Sequence, residues 1–111
     1  MTDYNLDQKA KLGTLLSINS TTFTGASQLL GTLLHNPVIM FIQNDTLVPV
    51  FLSDDGTSTN GKTFIPGERA VLDMRGNEGK ANNFSFPIGT TFFVTAAAST
   101  GLFQISYIYA Q

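Results

Sequence analysis

The chain has no cysteine, no tryptophan and a single histidine. Without thiols there is no disulfide, no thiolate nucleophile and no cysteine-based zinc site. One imidazole, His35, excludes a multi-histidine metal centre. Charge is scarce as well. Charged residues make up 13% of the chain, about half of the ~25% usual in globular domains. The net charge is −2 and the six basic residues are scattered, which leaves no electrostatic footprint for nucleic acid. Arg69, Arg75 and Lys80 come closest to a cluster, and they read as an ordinary solvated face. Long apolar runs are also missing: the longest, Val38 to Ile42, falls far short of a membrane span. The opening "MTDYNLDQKAKLG" has acids and amides where a secretory signal has a basic and then an apolar stretch. The expectation is a soluble protein made in a reducing cytoplasm, with no cofactor and with neither membrane nor nucleic acid as partner. Asn19, Asn44 and Asn83 head three glycosylation sequons. They are expected to be chance products of a chain rich in Asn and Thr.

What is present suffices for one folded unit. At 111 residues with 42% hydrophobic content, a single core is viable and should bury roughly two-thirds of the unfolded surface. The polar surface must come mainly from Thr, Ser, Asn, Gln and Gly. A weakly charged surface is poorly defended against association, a mild sign of a protein that works packed against neighbours.

Residues 1–13 hold four of the fourteen charges, namely Asp3, Asp7, Lys9 and Lys11. Leu6 and Ala10 are spaced for a short helix from about Asn5 that Gly13 would cap. Such a helix has almost no apolar face to bury, so a flexible or partner-ordered arm is the working assignment for 1–13, with the folded domain at 14–111. From Thr14 the pattern is β. "TLLSINSTTF" is rich in Thr and Ile. "QLLGTLL" would place four leucines on one helical face, but Gly31 and the following "HNP" argue against a stable helix. "PVIMFIQN" is apolar on both faces, which suits a strand deep in a sheet. "LVPVFLS" alternates, and Pro49 predicts an edge position or a bulge. After "TFIPGERAVLDM" and the loop "RGNEGKANN", the chain closes with "FSFPIGTTFFVTAAA" and "GLFQISYIYA". In the last of these Phe103, Ile105, Tyr107 and Tyr109 face one way. Seven to eight short strands with regular turn signals predict an all-β fold, an antiparallel β-sandwich or jelly roll. No βαβ alternation supports a dinucleotide site.

The stretch most like a site is "FLSDDGTSTNGKTFIPGERAVL", Phe51 to Leu72. Asp54, Asp55, Gly56 and Asn60 do not fit a calcium EF-hand loop, whose ligands alternate and end in a bidentate Glu; the twelfth residue from Asp54 is Ile65. Asp55-Gly56 and Asn60-Gly61 are dipeptides of turns needing positive φ, so a turn without bound metal is expected. Paired-acid hydrolysis needs one buried acid with a raised pKa, whereas Asp54 and Asp55 sit among small polar residues and should stay ionised. His35 stands in the turn "LLHNPV", and no Ser lies in a nucleophile-elbow context. Asp73 and Arg75 are positioned for a structural ion pair on one strand face. The aromatic set Phe84, Phe86, Phe92, Phe93, Phe103, Tyr107 and Tyr109 is large enough for a sugar platform. Phe outnumbers Tyr nine to three, however, and Phe favours the core.

Read in order, "TGASQLL", "NPVIMFIQNDT", "VPVFLSDDG", "FIPGERAVLDM", "FPIGTTFFV" and "STGLFQISYIYA" resemble a recurrent pattern in small structural proteins of tailed bacteriophages. The resemblance spans Ser20 to Ala110. Its motifs are turn chemistry: Gln43 and Asn44 closing a strand, Pro66-Gly67 as a type II turn ahead of Glu68, and Thr100-Gly101 as the reversal before the last strand. The insert "RGNEGKANN" and the N-terminal arm depart from it. The resemblance implies a β-sandwich assembled in many copies on a virion as a decoration protein, head–tail connector or tail/fibre adaptor. No catalytic residue carries over. The expectation is therefore a non-enzymatic homo-oligomer whose partners are other virion proteins, made in the host cytoplasm, with Tyr4 and Leu6 of the arm docking onto a neighbouring subunit. The alternative is a carbohydrate-binding, receptor-recognising module; an enzyme ranks third.

Overall fold

A computed structural model describes residues 9–57, 59–74 and 86–111. It is all-β, with nine strands in two antiparallel sheets packed face to face. In chain order these are β1 (Ala10–Leu12), β2 (Leu16–Asn19), β3 (Gln28–Thr32), β4 (Ile39–Asn44), β5 (Val50–Ser53), β6 (Gly61–Phe64), β7 (Arg69–Asp73), β8 (Thr91–Thr95) and β9 (Leu102–Ala110). One sheet runs β1–β9–β4–β7, with β2 beside β1 along the same edge of β9; the other runs β3–β8–β5–β6.

The pairing has a simple logic. β5 pairs with β6, β4 with β7, β3 with β8 and β2 with β9, all antiparallel. The chain is thus one long nested hairpin. Rolling it up brings β4 against β9 and β5 against β8, which splits the hairpin into two layers. That is the jelly roll, the more specific of the two expected architectures.

Alternation along the strands places the core. Met40, Ile42 and Asn44 of β4 are buried while their neighbours are half-buried. Phe103, Ile105 and Tyr107 of β9 alternate in the same way. With Val50, Phe64 and Val94 they fill the space between the layers, each large apolar side chain contributing ~1.5–3 kcal/mol over exposure. Phe64 and Phe103 meet edge to face across the layers, centroids 5.8 Å apart.

Three expectations need correction. Among the described residues, intrachain pairing already includes Ala10–Leu12, ahead of Thr14, since this segment pairs with Ile108–Ala110 and Gly13 donates to the Tyr107 carbonyl. The end of the assigned arm therefore belongs to the sandwich, with residues 10–12 in a strand rather than a helix. Residues 1–8, Tyr4 and Leu6 among them, lie outside the described residues. Second, β5 is an interior strand between β6 and β8. Pro49 immediately precedes it, where a missing N–H costs no ladder bond. Third, β4 is interior to its sheet, as expected, but only one of its apolar faces meets the core. The stretch "QLLGTLL" forms a strand, β3, rather than a helix, as Gly31 and the following "HNP" indicate, and its register against β8 shifts between Leu29 and Gly31.

Three strands close with the same device. The Asn19 Oδ1 at the end of β2 accepts from the Thr21 N–H and hydroxyl, both at 3.0 Å. Asn44 Oδ1 at the end of β4 accepts from the Thr46 N–H at 3.0 Å and its hydroxyl at 2.6 Å. Asp55 Oδ1, just past β5, accepts from the Thr57 N–H at 2.9 Å and its hydroxyl at 2.7 Å. An Asx side chain bonding two residues ahead mimics a backbone turn. The sequons at Asn19 and Asn44 are therefore turn chemistry rather than chance, and Asn44 is fully buried. Asn83 lies outside the described residues.

The Pro66-Gly67 reversal is as expected. Glu68 N–H donates to the Ile65 carbonyl at 3.0 Å and Gly67 has φ +82°, the third position of a type II turn.

Candidate functional site

The loop between β5 and β6 closes on itself. Asp55 Oδ2 accepts from the Asn60 amide at 3.0 Å, while Ser53 Oγ accepts from Gly56 N–H at 2.9 Å. Asp55 also takes up both Thr57 donors, so its oxygens are saturated by the loop. Asn60, then the Thr57 N–H and hydroxyl, hold its carboxyl down at about 2, because each donor favours the charged form. Of the two glycines expected at positive φ, Gly56 has it, at +77°. Gly61 does not; a side chain there would strike the Leu52 carbonyl across the β5–β6 pair.

Asp54 and Asp55 are both exposed, as expected of ionised acids. Adjacent in sequence, they differ in use. Asp54 makes no hydrogen bond or ion pair among the described residues and stands at the mouth of a cavity of about 440 Å³. This cavity opens between the layers on the side of β6 and β7. Ile42 and Leu72 from one sheet, and Leu52, Phe64 and Phe92 from the other, form its walls. Lys62 reaches the mouth with its ammonium already bonded to Glu68 at 2.8 Å and to the Thr63 carbonyl at 3.2 Å. The same ammonium sits 4.1 Å from the centre of the Phe64 ring. Lys62, followed by the Ile65 N–H, lowers the Glu68 carboxyl below its ordinary range.

His35 lies against β9. Its ring stacks on Tyr109 at 3.7 Å and an interplanar angle of 3°, and the buried Tyr107 hydroxyl makes a long 3.5 Å contact to Nδ1. The histidine is therefore a packed turn residue, as expected. Arg69 pairs with Asp45 at 2.8 Å. Asp73 ends β7, and its expected partner Arg75 is outside the described residues. Of the aromatic set, Phe92, Phe103 and Tyr107 are core residues; Phe86, Phe93 and Tyr109 are half-buried. Phe84 is outside the described residues.

One surface was not foreseen. On the outward face of the larger sheet, Leu12 pairs with Ile108, Ile108 with Ile39, and Phe41 in the next row with Val71. These five apolar side chains run as a strip diagonally across β1, β9, β4 and β7, with Ser106 opposite Phe41 and Asp73 opposite Ile39 completing the two rows; Ile39, Phe41 and Ile108 are half-buried. Leu12 is 81% exposed and Val71 62%. A polar margin of Gln43, Gln104 and the Arg69–Asp45 pair borders it. The outward face of the smaller sheet is more mixed: Phe51 there is paired with Thr95 and Thr63, and Thr32 with Thr91, while Leu29, exposed, is paired with Phe93. The apolar second face of "PVIMFIQN" is the sequence signal for the strip, although two apolar faces equally suit a strand covered on both sides. An outward-facing contiguous apolar strip with a polar margin is the usual mark of a contact surface.

Among the described residues, no helix is long and apolar enough to cross a membrane and no cluster of His, Asp or Glu is placed to hold a metal ion. Comparison with protein-family models, with curated proteins and with solved structures finds no match for this chain.

Proposed function

We propose that the protein is a non-enzymatic structural component of a tailed-bacteriophage virion, assembled in many copies as a decoration protein, head–tail connector or tail/fibre adaptor. The observation that carries the assembly reading is the outward strip of Leu12, Ile108, Ile39, Phe41 and Val71. A solvated sheet face normally presents polar side chains. The low charge of the surface points the same way. The virion setting rests on the sequence resemblance. The jelly roll is compatible with it but hosts capsid proteins, lectins and cupins alike. Repetition in a symmetric assembly multiplies a weak contact. Tyr4 and Leu6, in the segment that precedes β1 in sequence, are proposed to dock onto a neighbouring subunit.

The test is sedimentation of the purified protein together with quantitative mass spectrometry of purified phage particles. The expected result is a concentration-dependent oligomer, with the protein present at a fixed high copy number per particle. The pair Leu12→Glu and Val71→Glu, both on exposed positions, should shift the oligomer to monomer without lowering the unfolding midpoint. A deletion that isolates the arm must stop at Gln8, because a longer one removes β1. A parent that stays monomeric at high concentration and is absent from particles overturns the reading.

A further inference from the structure

We propose that the cavity between the layers binds a small organic cation with an apolar body, its ring or chain against Phe64 and Phe92 and its charge at Asp54. The volume of about 440 Å³ lies within the ~300–1,000 Å³ range of small-molecule sites. Walls of Ile42, Leu52, Leu72, Phe64 and Phe92 offer water no partners, so displacing water from them favours an apolar occupant.

Charge at the mouth selects among apolar occupants. Lys62 is the only cation lining the cavity among the described residues, and its ammonium is matched by Glu68. Asp55, the neighbouring acid, is saturated by Asn60, Thr57 and Ser53. Among the described residues, Asp54 is left as the uncompensated charge of the lining. An anion would meet it unfavourably, and a neutral molecule would gain only burial. A sugar needs several convergent polar groups; here the Asn60 amide is committed to Asp55 and the walls are apolar. The site is independent of the outward strip, which lies on the opposite face of the larger sheet.

The experiment is a titration of the ¹⁵N-labelled full-length chain, followed by amide chemical shifts, with three ligands of one shape: 2-phenylethylammonium, 2-phenylethanol and phenylacetate. Saturable shifts centred on Leu52, Asp54, Gly61 and Phe64 are expected. The cation should bind about fivefold tighter than the alcohol, the range of an exposed ion pair, and phenylacetate most weakly. Asp54→Asn should remove the preference for the cation and leave the alcohol's affinity unchanged. Ala70→Phe, which fills the cavity, should abolish binding of all three; because that variant can fail to fold, Asp54→Asn is the deciding one. Equal affinities for the three ligands, a cation preference that survives Asp54→Asn, the absence of saturable shifts, or saturable binding of a monosaccharide in place of the amine would each overturn the proposal.

Discussion

Asn44 and Asp55 build the same turn in two different places. Each closes a strand, and each offers one oxygen to the N–H and hydroxyl of a threonine two residues on. Asn44 does so in the interior, where its Nδ2 also donates to the Val48 carbonyl at 3.0 Å and the Phe64 carbonyl at 2.8 Å. It thereby ties the end of β4 to the end of β6, in the opposite layer. Asp55 does so at the surface and ties only its own loop. Identical local chemistry thus has unequal weight. Losing a hydrogen bond in water is cheap because water replaces it, whereas buried groups left behind have no substitute.

Exchanging the two residue types breaks the comparison most sharply. Asn44→Asp aims a carboxylate at two carbonyl oxygens inside the protein and should lower stability by about 4 kcal/mol, read by urea denaturation. Asn44→Ala leaves the Thr46 N–H without its acceptor and takes one donor from each of the Val48 and Phe64 carbonyls, and should cost about 3 kcal/mol. The reverse exchange, Asp55→Asn, should leave the denaturation midpoint unchanged and speed amide hydrogen exchange at Thr57. An Asp55→Asn effect as large as that of Asn44→Asp would mean the loop, and not burial, governs the fold.

Acid sharpens the contrast further. The carboxyl of Asp55 lies below its unfolded value, so its contribution is complete above 3.8 and is lost as the pH falls toward about 2. Protection of the Thr57 amide should fade across that window and lose its pH dependence in Asp55→Asn. The Asn44 network has no titrating group, and the amide of Thr46 should show no matching step.

Much of the architecture was legible because period-two alternation and turn dipeptides are local signals. The strands in "PVIMFIQN" and "GLFQISYIYA" and the Pro66-Gly67 reversal follow from neighbouring residues alone. Pairing order does not: nothing near Leu16 says that its partner is Ile105. Pro49 misled because the rule concerns ladder bonds, and the ladder begins one residue later. At the candidate site, the sequence set Asp54 and Asp55 apart from the rest of the chain but not from each other. Which of the two is consumed depends on Asn60 and Thr57 folding back, and Asp54 acquires a role only when the layers leave a gap beside it. The outward strip was visible as one apolar face of β4. Its width required the register of β1, β9 and β7.

Nested pairing also orders events during synthesis. The partner of β2 is β9, so the first full strand of the roll must wait for the last to leave the ribosome. Each premature stop before Leu102 yields a chain whose larger sheet lacks its central member and exposes Met40 and Ile42 without cover. Such fragments are natural prey for chaperones and proteases. Only chains that carry β9 then complete the outward face of the larger sheet.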